Sequence, residues 1–264
     1  MDISTSPKKT AETEFRPRAI KRNQSMSQIF RLYEPVEFKA NTTISFSEEA
    51  HHILHRVLRK EPGQSIVFLN GKGQIAQATI SQLDKKSGSA SIENVTQVEQ
   101  PKLEIRLFIG SLKGEKLSYV VQKATELGVV EISIFQSEHS IAVKSESFID
   151  KTNKVAIEAI RQSGNPFLPT IKHLKNFQDV KPISSATHLN VVMDETETTS
   201  VQKILKNPSF TSVSLFIGPE GGFSSQEREL FREWSCEFVR IAPYVLRADT
   251  AAISAVSFFR ATFL

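Results

Sequence analysis

Two short segments in the last third of the chain combine residue types that bring main-chain groups close to a ligand. Residues 217–224 read Ile-Gly-Pro-Glu-Gly-Gly-Phe-Ser, and residues 241–251 read Ile-Ala-Pro-Tyr-Val-Leu-Arg-Ala-Asp-Thr-Ala. Each follows a short apolar run that is typical of a buried strand, and glycine permits close approach because it has no Cβ. Ligands of open α/β sheets bind outside the carboxyl ends of the strands. The two segments therefore predict one small-molecule pocket floored by main-chain groups.

Neither segment is one of the common phosphate-binding loops. No Gly-Lys-Ser or Gly-Lys-Thr follows residues 217–224, and the spacing of the dinucleotide fingerprint is absent. From the residues alone, a ligand-binding loop and an ordinary tight strand-to-helix turn are both open. Arg247 and Asp249 stand two residues apart at a predicted helix start. They fit either a catalytic pair or a solvated cation beside a helix cap.

Histidines and basic residues form a second group with possible chemistry. His51, His52 and His55 lie on one predicted helix, but a zinc site needs three or four ligands and no cysteine lies near, so no metal is expected. Residues 55–59 form a basic helix end that either complements the helix C-terminus or contacts phosphate. The residues that would make a basic stripe for nucleic acid are Arg31, Arg56, Arg59, Lys113 and Lys116.

The composition of the 264 residues limits the class of protein. Hydrophobic residues make up 39% and the mean hydropathy is −0.22, so the chain can bury a core. No apolar stretch approaches the roughly 20 residues that span a membrane. The single Cys236 excludes an intrachain disulfide, is expected to be structural, and suits a reducing cytosol. The net charge of +4 comes mostly from residues 1–25, so bulk charge gives no argument for nucleic acid.

The elements that must position these residues fall into two domains. Residues 1–25 are polar and aperiodic, which is typical of a disordered segment. Residues 26–98 alternate apolar and polar side chains around turns at 71–73 and 84–88, which predicts a small β-rich domain with two hairpins. One helix interrupts this domain at about 47–58, with Ser47 as its expected N-cap. Residues 103–264 alternate strands with helices, which predicts an α/β domain with a largely parallel sheet.

The strands of this α/β domain are predicted near 104–110, 129–135, 189–193, 212–217 and 237–241. Helices are predicted at about 114–127 and 148–163, and from 225 to 234 behind a capping box. A last helix opens at Asp249 or Thr250. It is apolar on most sides, which predicts that it is buried or lies in an interface.

Seven motifs follow one another in a specific order: Arg31-Leu-Tyr33, His55-Arg-Val-Leu-Arg59, Gly114-Glu-Lys116, residues 122–129, Arg161-Gln-Ser-Gly164 with Pro169, residues 218–224, and Leu246-Arg-Ala-Asp-Thr250. In this order and spacing the chain resembles, from about residue 29 to its end, the RsmE family of the SPOUT superfamily. Members of that family methylate N3 of a uridine in small-subunit (16S) ribosomal RNA. The resemblance implies a PUA-like β-barrel that binds RNA, followed by a SPOUT-type α/β domain with a trefoil knot. It also implies S-adenosylmethionine as cofactor, ribosomal RNA or the small ribosomal subunit as partner, a homodimer and a cytoplasmic location.

The resemblance carries roles onto individual positions. The implied cofactor-binding residues are Met193, Glu195, Ile217, Gly218, Gly221, Gly222, Ile241, Ala242 and Leu246. The implied RNA contacts are Arg31, His55, Arg56, Arg59, Lys113 and Lys116. Negative charge that develops on the uracil oxygens is expected to be stabilised by Arg247. Asp249 or Glu220 is expected to accept the N3 proton or to orient Arg247.

Several positions depart from the family pattern. Tyr244, Asn165 and His139 stand where arginine is usual, Ala248 stands where threonine is usual, and Asp249 stands where glutamate is usual. These differences leave two alternatives beside the RsmE activity. One is a catalytically weak RNA-binding protein that keeps the fold, and the other is a methyltransferase of the same fold with a different RNA target.

Overall fold

The computed structural model describes residues 30–140, 146–206 and 209–264, which fold around two β-sheets. The predicted disordered extension at residues 1–25 lies outside the described residues.

The first sheet has five strands in the order β1-β3-β4-β5-β2. They are β1 (Arg31–Tyr33), β2 (Thr43–Ser45), β3 (Ser65–Leu69), β4 (Gln74–Leu83) and β5 (Gly88–Gln97). β1 pairs with β3 in parallel, and the other pairs are antiparallel, so both predicted hairpins are confirmed. Alternate side chains of these strands are buried around Phe68, which solvent does not reach.

The helix between β2 and β3 begins where predicted, because the Ser47 hydroxyl accepts a hydrogen bond from the Ala50 N–H (3.2 Å). The prediction of one uniform helix is wrong in its second half. Helix α1 (Glu48–His52) runs into a π-helical turn, Ile53–Val57. There the Leu58 N–H donates to the carbonyl five residues back, at Ile53 (2.9 Å). Such turns widen a helix locally and are frequent near functional sites.

The second sheet has six strands in the order β11-β9-β10-β6-β7-β8, and every pair is parallel. They are β6 (Glu104–Gly110), β7 (Glu131–Phe135), β8 (Thr170–Leu174), β9 (His188–Met193), β10 (Ser212–Ile217) and β11 (Glu237–Val239). The helices are α2 (Lys116–Glu126), α3 (Glu146–Ser163), α4 (Ser225–Glu233) and α5 (Ala248–Thr262), with short 3₁₀ turns at Phe177–Asp179 and Val201–Lys206. The predicted parallel α/β sheet is confirmed, and the trefoil knot stays a prediction.

Each face of the second sheet has its own core. The odd residues of β6, from Ile105 to Ile109, belong to an aliphatic core that includes side chains of α2 and α5. The even residue Phe108 belongs to an aromatic core on the other face and stacks on Phe216, with ring centroids 4.7 Å apart. Strands buried on both faces read as continuous apolar runs, which is why β6 and β10 are visible in the sequence.

The last helix, α5, buries one face from Ala248 to Arg260, in agreement with the prediction from its apolar composition. Its Arg260 is buried too, because the guanidinium donates to the carbonyls of Leu103 (2.9 Å), Leu127 (3.0 Å) and Gly128 (2.8 Å). Burial lowers the pKa of this guanidinium. Arg260 thus fixes α5 to the end of α2.

No helix in the described ranges is long and apolar enough to cross a membrane. Cys236 is buried, and burial, together with the charge of Glu237, raises the pKa of its thiol to about 12. The thiol is therefore protonated at neutral pH, which fits the structural role expected for it.

Candidate functional site

The carboxyl ends of four parallel strands meet at one edge of the second sheet. Met193 at the end of β9 pairs with Ile217 of β10 and with Val239 of β11. Ile217 also pairs with Ile109 near the end of β6. The loops that leave β9 and β10, together with the segment before α5, line a cleft of about 410 Å³. A cleft of this volume suits a small organic ligand.

The loop at residues 218–224 packs main chain against main chain. A Cβ added to Gly110, at the end of β6, would lie 2.6 Å from the backbone nitrogen of Pro219. A Cβ on Gly218 would lie 3.1 Å from the carbonyl carbon of Gly222. The turn closes because Gly222, at φ +70°, donates its N–H to the Pro219 carbonyl (2.9 Å). The floor of the cleft is therefore main chain, as the sequence predicts.

The structure brings all nine residues of the predicted cofactor site together. Those that line the cleft are Met193, Glu195, Ile217, Gly218, Gly221, Gly222 and Leu246. An adjoining pocket shares three of them and adds Ile241 and Ala242. The cleft is also lined by residues outside this set of nine: Lys116, Asp194, Pro219, Phe223, Val245, Ala248 and Ala251.

Asp194 anchors the loop after β9 from behind. Its carboxylate is almost fully buried and accepts hydrogen bonds from the Thr196 N–H (2.9 Å), the Thr196 hydroxyl (2.6 Å) and Arg228 Nε (2.7 Å). Burial raises the pKa of this carboxyl, but the Thr196 hydrogen bonds and the Arg228 charge outweigh burial and leave the pKa lowered. Asp194 is therefore a carboxylate at neutral pH and ties the loop to helix α4. The only signal for it in the sequence is its position between two predicted contacts.

Glu227 anchors the loop after β7 to helix α4. In the capping box of α4, its carboxylate accepts the Ser224 N–H (2.9 Å), and it also accepts the Glu138 N–H (3.0 Å) and the Ser137 hydroxyl (3.0 Å). The adjacent His139 places ring Nδ1 3.0 Å from the Gly221 carbonyl oxygen. One buried carboxylate thus joins two loops at the end of the sheet.

Glu220 lies in the cleft lining, where it is already paired. Its Oε1 accepts hydrogen bonds from Lys116 Nζ (2.9 Å) and from the Lys113 N–H (3.3 Å). Partial burial raises the pKa of this carboxyl, but hydrogen bonds from Lys116, from its own backbone and from Lys113 outweigh burial and leave the pKa lowered. Lys116, predicted as an RNA contact, is therefore held in the cleft.

Arg247 and Asp249 diverge at the start of α5. Arg247 is the N-cap residue, is exposed and lines the cleft. Within the described parts of the chain it has no ion-pair partner. Asp249 is half-buried in the first turn and is not among the residues that line the cleft. Its Oδ1 is buried and has no hydrogen-bond partner among the described residues.

The predicted RNA contacts lie in three places. Arg56 and Arg59 are exposed near the end of the helical segment between β2 and β3. There the ring of His55 stacks on His51, with centroids 5.5 Å apart. Arg31 packs its guanidinium against Gly164, which belongs to the second half of the chain. Lys113 and Lys116 are beside the cleft.

Two family models match the chain. One is described as an RNA methyltransferase domain and matches residues 98–260, the stretch that holds the second sheet and the cleft. The other is described as an RNA methyltransferase PUA domain and matches residues 47–93, within the first sheet.

The chain is also similar to individual proteins. A ribosomal RNA small subunit methyltransferase E of Borreliella burgdorferi is 31% identical over 228 residues, covering 84% of this chain and 92% of the relative. The enzyme of that name from Aquifex aeolicus is 30% identical, covering 84% of this chain and 95% of the relative. The structure of the Neisseria gonorrhoeae enzyme bound to S-adenosylmethionine superimposes with a TM-score of 0.83, at 25% identity and over 89% of this chain and 98% of that chain. A Legionella pneumophila methyltransferase with the same bound cofactor gives a TM-score of 0.80 at 28% identity, with the same coverage.

Proposed function

The chain belongs to the ribosomal RNA small subunit methyltransferase E family, and from this membership and the geometry of its cleft we propose that it methylates N3 of one uridine in small-subunit ribosomal RNA. It is an S-adenosylmethionine-dependent ribosomal RNA methyltransferase with a PUA domain and a SPOUT-type domain. The observation that carries the finer proposal is the main-chain floor of the cleft beside two cations, Lys116 and Arg247.

The cleft fits S-adenosylmethionine. The three glycines of residues 218–222 line the cleft and can present only main-chain groups to a ligand there. Met193 and Ile217 offer apolar contact, and the exposed Glu195 offers a carboxylate for hydroxyl or ammonium groups. When bound, S-adenosylmethionine supplies an electrophilic methyl group.

Stabilisation of the uracil oxygens is assigned to Arg247 and Lys116. Removal of the N3 proton leaves negative charge on both oxygens, and fixed cations in a dry site stabilise such charge strongly. Arg247 has no competing ion pair within the described ranges, so its charge is available. Glu220 holds Lys116 in the cleft lining. This ion pair fixes the position of the ammonium group but partly offsets its charge.

Two carboxylates near the cleft, Glu220 and Asp249, are candidates for accepting the N3 proton. Glu220 is a weak acceptor because its hydrogen bonds with Lys116 and Lys113 lower its pKa, so we assign it to positioning Lys116. Asp249 keeps an unpartnered oxygen and is the proposed acceptor. Because this oxygen is buried and Asp249 does not line the cleft, the role requires the first turn of α5 to shift so that the carboxylate reaches the uridine.

The substrate must present N3 freely. This atom lies on the pairing edge of the base, so the target uridine must be unpaired or splayed out. The exposed Lys113, beside the cleft, suits a phosphate contact near such a nucleotide, and the exposed Arg56 and Arg59 of the first sheet suit phosphate contacts farther along the same RNA. We propose a cytoplasmic location, because the small ribosomal subunit is the expected substrate.

The active form is proposed to be a homodimer. Tyr244 and Val245, beside the cleft, are 82% and 76% exposed, which is unusual for adjacent large apolar side chains. Burial of this pair against a second copy would remove them from water. Light scattering after size-exclusion chromatography should give twice the chain mass, and a single-chain mass would contradict the dimer.

The test of the proposed function is methyl transfer from labelled S-adenosylmethionine to small ribosomal subunits from a strain that lacks this protein. The modified nucleotide is then identified by mass. Methyl-3-uridine at one site is the expected result. Methylation of another nucleotide would assign a different target, and cofactor binding without transfer to any RNA would favour the catalytically weak RNA-binding protein.

A further inference from the structure

The turn between β3 and β4 forms a main-chain joint with the segment that precedes β8. The Gly73 N–H donates to the Pro166 carbonyl (3.0 Å), and the Leu168 N–H donates to the Gly71 carbonyl (3.0 Å). An isolated antiparallel bridge, Lys72 to Phe167, results. Residues 71–73 and 166–168 are called the joint below. They connect the first sheet to the second by backbone hydrogen bonds rather than by side chains.

The joint leaves no room for side chains on its two glycines. Both have positive φ, +74° at Gly71 and +95° at Gly73. A Cβ on Gly73 would lie 2.7 Å from the Phe167 ring, and one on Gly71 would lie 3.1 Å from Cβ of Leu168. The close approach of the two sheets therefore depends on these positions being glycine.

Both halves of the joint are stiffened by asparagines. The buried Asn70 accepts hydrogen bonds from the N–H groups of Lys72 (2.8 Å) and Gln74 (2.9 Å). Asn165 accepts the Phe167 N–H (3.0 Å) and donates to the Thr125 carbonyl (2.9 Å), which ties that half to the end of α2. Each turn is thus held in shape by its own domain.

A second contact prevents the joint from acting as a hinge. Arg161 Nε of α3 donates to the Arg31 carbonyl of β1 (3.0 Å). The guanidinium of Arg31 covers Gly164, where an added Cβ would lie 3.0 Å from Arg31 Nε. Two separate attachments fix the orientation of the first sheet as well as its distance.

The joint lies at the opposite end of the second sheet from the cleft. β8 starts beside the amino end of β7, where Thr170 pairs with Glu131, whereas the cleft is at the carboxyl ends. The five residues of β8 alone span about 17 Å between the joint and the cleft end of the sheet. RNA held by the first sheet is therefore separated from the reaction site by a rigid body of defined length.

We propose that the joint is a positioning device: it holds the first sheet and the cleft as one rigid body, so that the target uridine is selected by its distance from the RNA bound to the first sheet. This inference rests on the proposed function and concerns the choice of nucleotide. A misplacement of about 1 Å can lower turnover about 10²-fold even when both ligands still bind. Loosening the joint should therefore reduce turnover and fidelity while leaving cofactor binding unchanged.

The rigidity of the joint can be measured without activity. In hydrogen exchange of the full chain, the amides of Gly73 and Leu168 should be protected as well as amides inside β4 and β7. Exchange at the rate of exposed loop amides would show that the joint opens freely, and this result would overturn the proposal whether or not the protein methylates RNA.

The matched variants are Gly73→Ala and Gly63→Ala. Gly63 has the same kind of backbone, at φ +85°, but nothing lies within 4 Å of an added Cβ. We expect Gly73→Ala to bind S-adenosylmethionine normally, to lose about 10²-fold in kcat with KM for the ribosomal subunit changed only a few-fold, and to methylate additional uridines. Gly63→Ala should keep both rate and site. Loss of folded protein alone would lower the active fraction without adding new sites, so the map of modified nucleotides separates the two causes.

A variant with a disulfide across the joint tests its rigidity without relying on a destabilising substitution. Lys72→Cys with Phe167→Cys places two thiols across an antiparallel bridge without mutual hydrogen bonds, where Cα atoms lie about 4.5 Å apart, within disulfide range. The oxidised lock should keep the turnover and the target of the reduced form. Inactivity on oxidation, reversed by reductant, would show that the joint must open and would overturn the proposal. If the unmodified chain transfers no methyl group to any RNA, the proposed function fails, and hydrogen exchange still decides whether the joint is rigid.

Discussion

The cleft and the joint both use glycine to bring main chain close to main chain, but for opposite purposes. At the cleft, Gly110 lets Pro219 approach so that the loop turns its backbone toward a ligand. At the joint, Gly73 lets the backbone of the first sheet bond directly to Pro166 of the second half. The same residue type thus leaves backbone groups available in one region and satisfies them in the other.

The two regions also differ in what holds them. The cleft loops are anchored from behind by buried carboxylates, Asp194 and Glu227. The turns of the joint are held by neutral asparagines, Asn70 and Asn165. The loop that Asp194 anchors should therefore lose stability in acid, whereas the turns of the joint should not. Under the proposed function, the main-chain floor of the cleft contributes to cofactor binding, whereas the side chains of Arg247 and Lys116 act on the base.

The largest expected effect tests that separation of tasks. Arg247→Ala should lower turnover by roughly 10²–10³, as expected for one lost donor to developing negative charge. The dissociation constant for S-adenosylmethionine should stay within a few-fold, because the floor of the cleft is main chain. Single-turnover kinetics and calorimetry measure the two quantities. Arg232→Ala, an arginine on α4 paired with Glu197, is the control and should keep its turnover. Unchanged turnover for Arg247→Ala would refute the role of this residue.

The second-largest expected effect is on the main-chain floor of the cleft. Gly110→Ala puts a Cβ 2.6 Å from both the backbone nitrogen and Cδ of Pro219, neither of which can move without the loop. We expect a loss of unfolding free energy at the upper end of the roughly 1–3 kcal/mol range for overpacking. Cofactor affinity should fall as well, in contrast to Arg247→Ala. Urea denaturation and calorimetry test this. Normal affinity would mean that the loop shifts without disturbing the binding surface.

A smaller effect distinguishes the charged anchors from the neutral ones. The pKa of Asp194 is lowered by folding, so its contribution to stability is present above the unfolded value of about 3.9 and is lost as pH falls through the folded pKa. Asp194→Asn should lower the free energy of unfolding by roughly 1–2 kcal/mol at pH 7. The difference from wild type should shrink as pH falls below about 4.

The control for this pH dependence comes from the joint. Asn165→Ala removes neutral hydrogen bonds, so its loss of stability should be the same at pH 3.5 and at pH 7. Thermal unfolding of the wild type and both variants across this range gives the comparison. A constant difference for Asp194→Asn would show that the charge of this carboxylate does not stabilise the loop.

What the sequence predicts depends on how local each feature is. β6 and β10 are visible because both of their faces are buried, and the loop at 218–224 is visible because only its glycines permit its path. The edge strand β8 is not predicted, because it exposes Lys172 and lacks a continuous apolar run. It is recognised only by its pairing with β7. The π-helical turn is not visible either, because periodicity does not distinguish it from an α-helical continuation.

The sequence predicts that distant segments share one pocket, but it does not predict which individual residues pair across that distance. The ion pair between Lys116 and Glu220 connects residues 104 positions apart, and neither residue has a local mark of its partner. The sequence predicts Lys116 as an RNA contact and Glu220 as a proton acceptor or as the residue that orients Arg247, whereas the structure pairs Lys116 with Glu220. The joint is hidden for the same reason, because Gly71 and Gly73 look like an ordinary hairpin turn.

The smallest effect concerns the exposed cations of the first sheet. Arg56 lies on the surface, so its guanidinium is free to meet phosphate rather than hold structure. Arg56→Ala should leave stability nearly unchanged and reduce the slope of log binding constant against log salt by about 1, the value for one lost phosphate contact. Lys203→Ala, an exposed lysine between β9 and β10, serves as the control. Because the joint fixes the first sheet rigidly, Arg56→Ala should weaken RNA binding without changing which uridine is methylated. A shift in the target would show that Arg56 helps to set the distance that we assign to the joint.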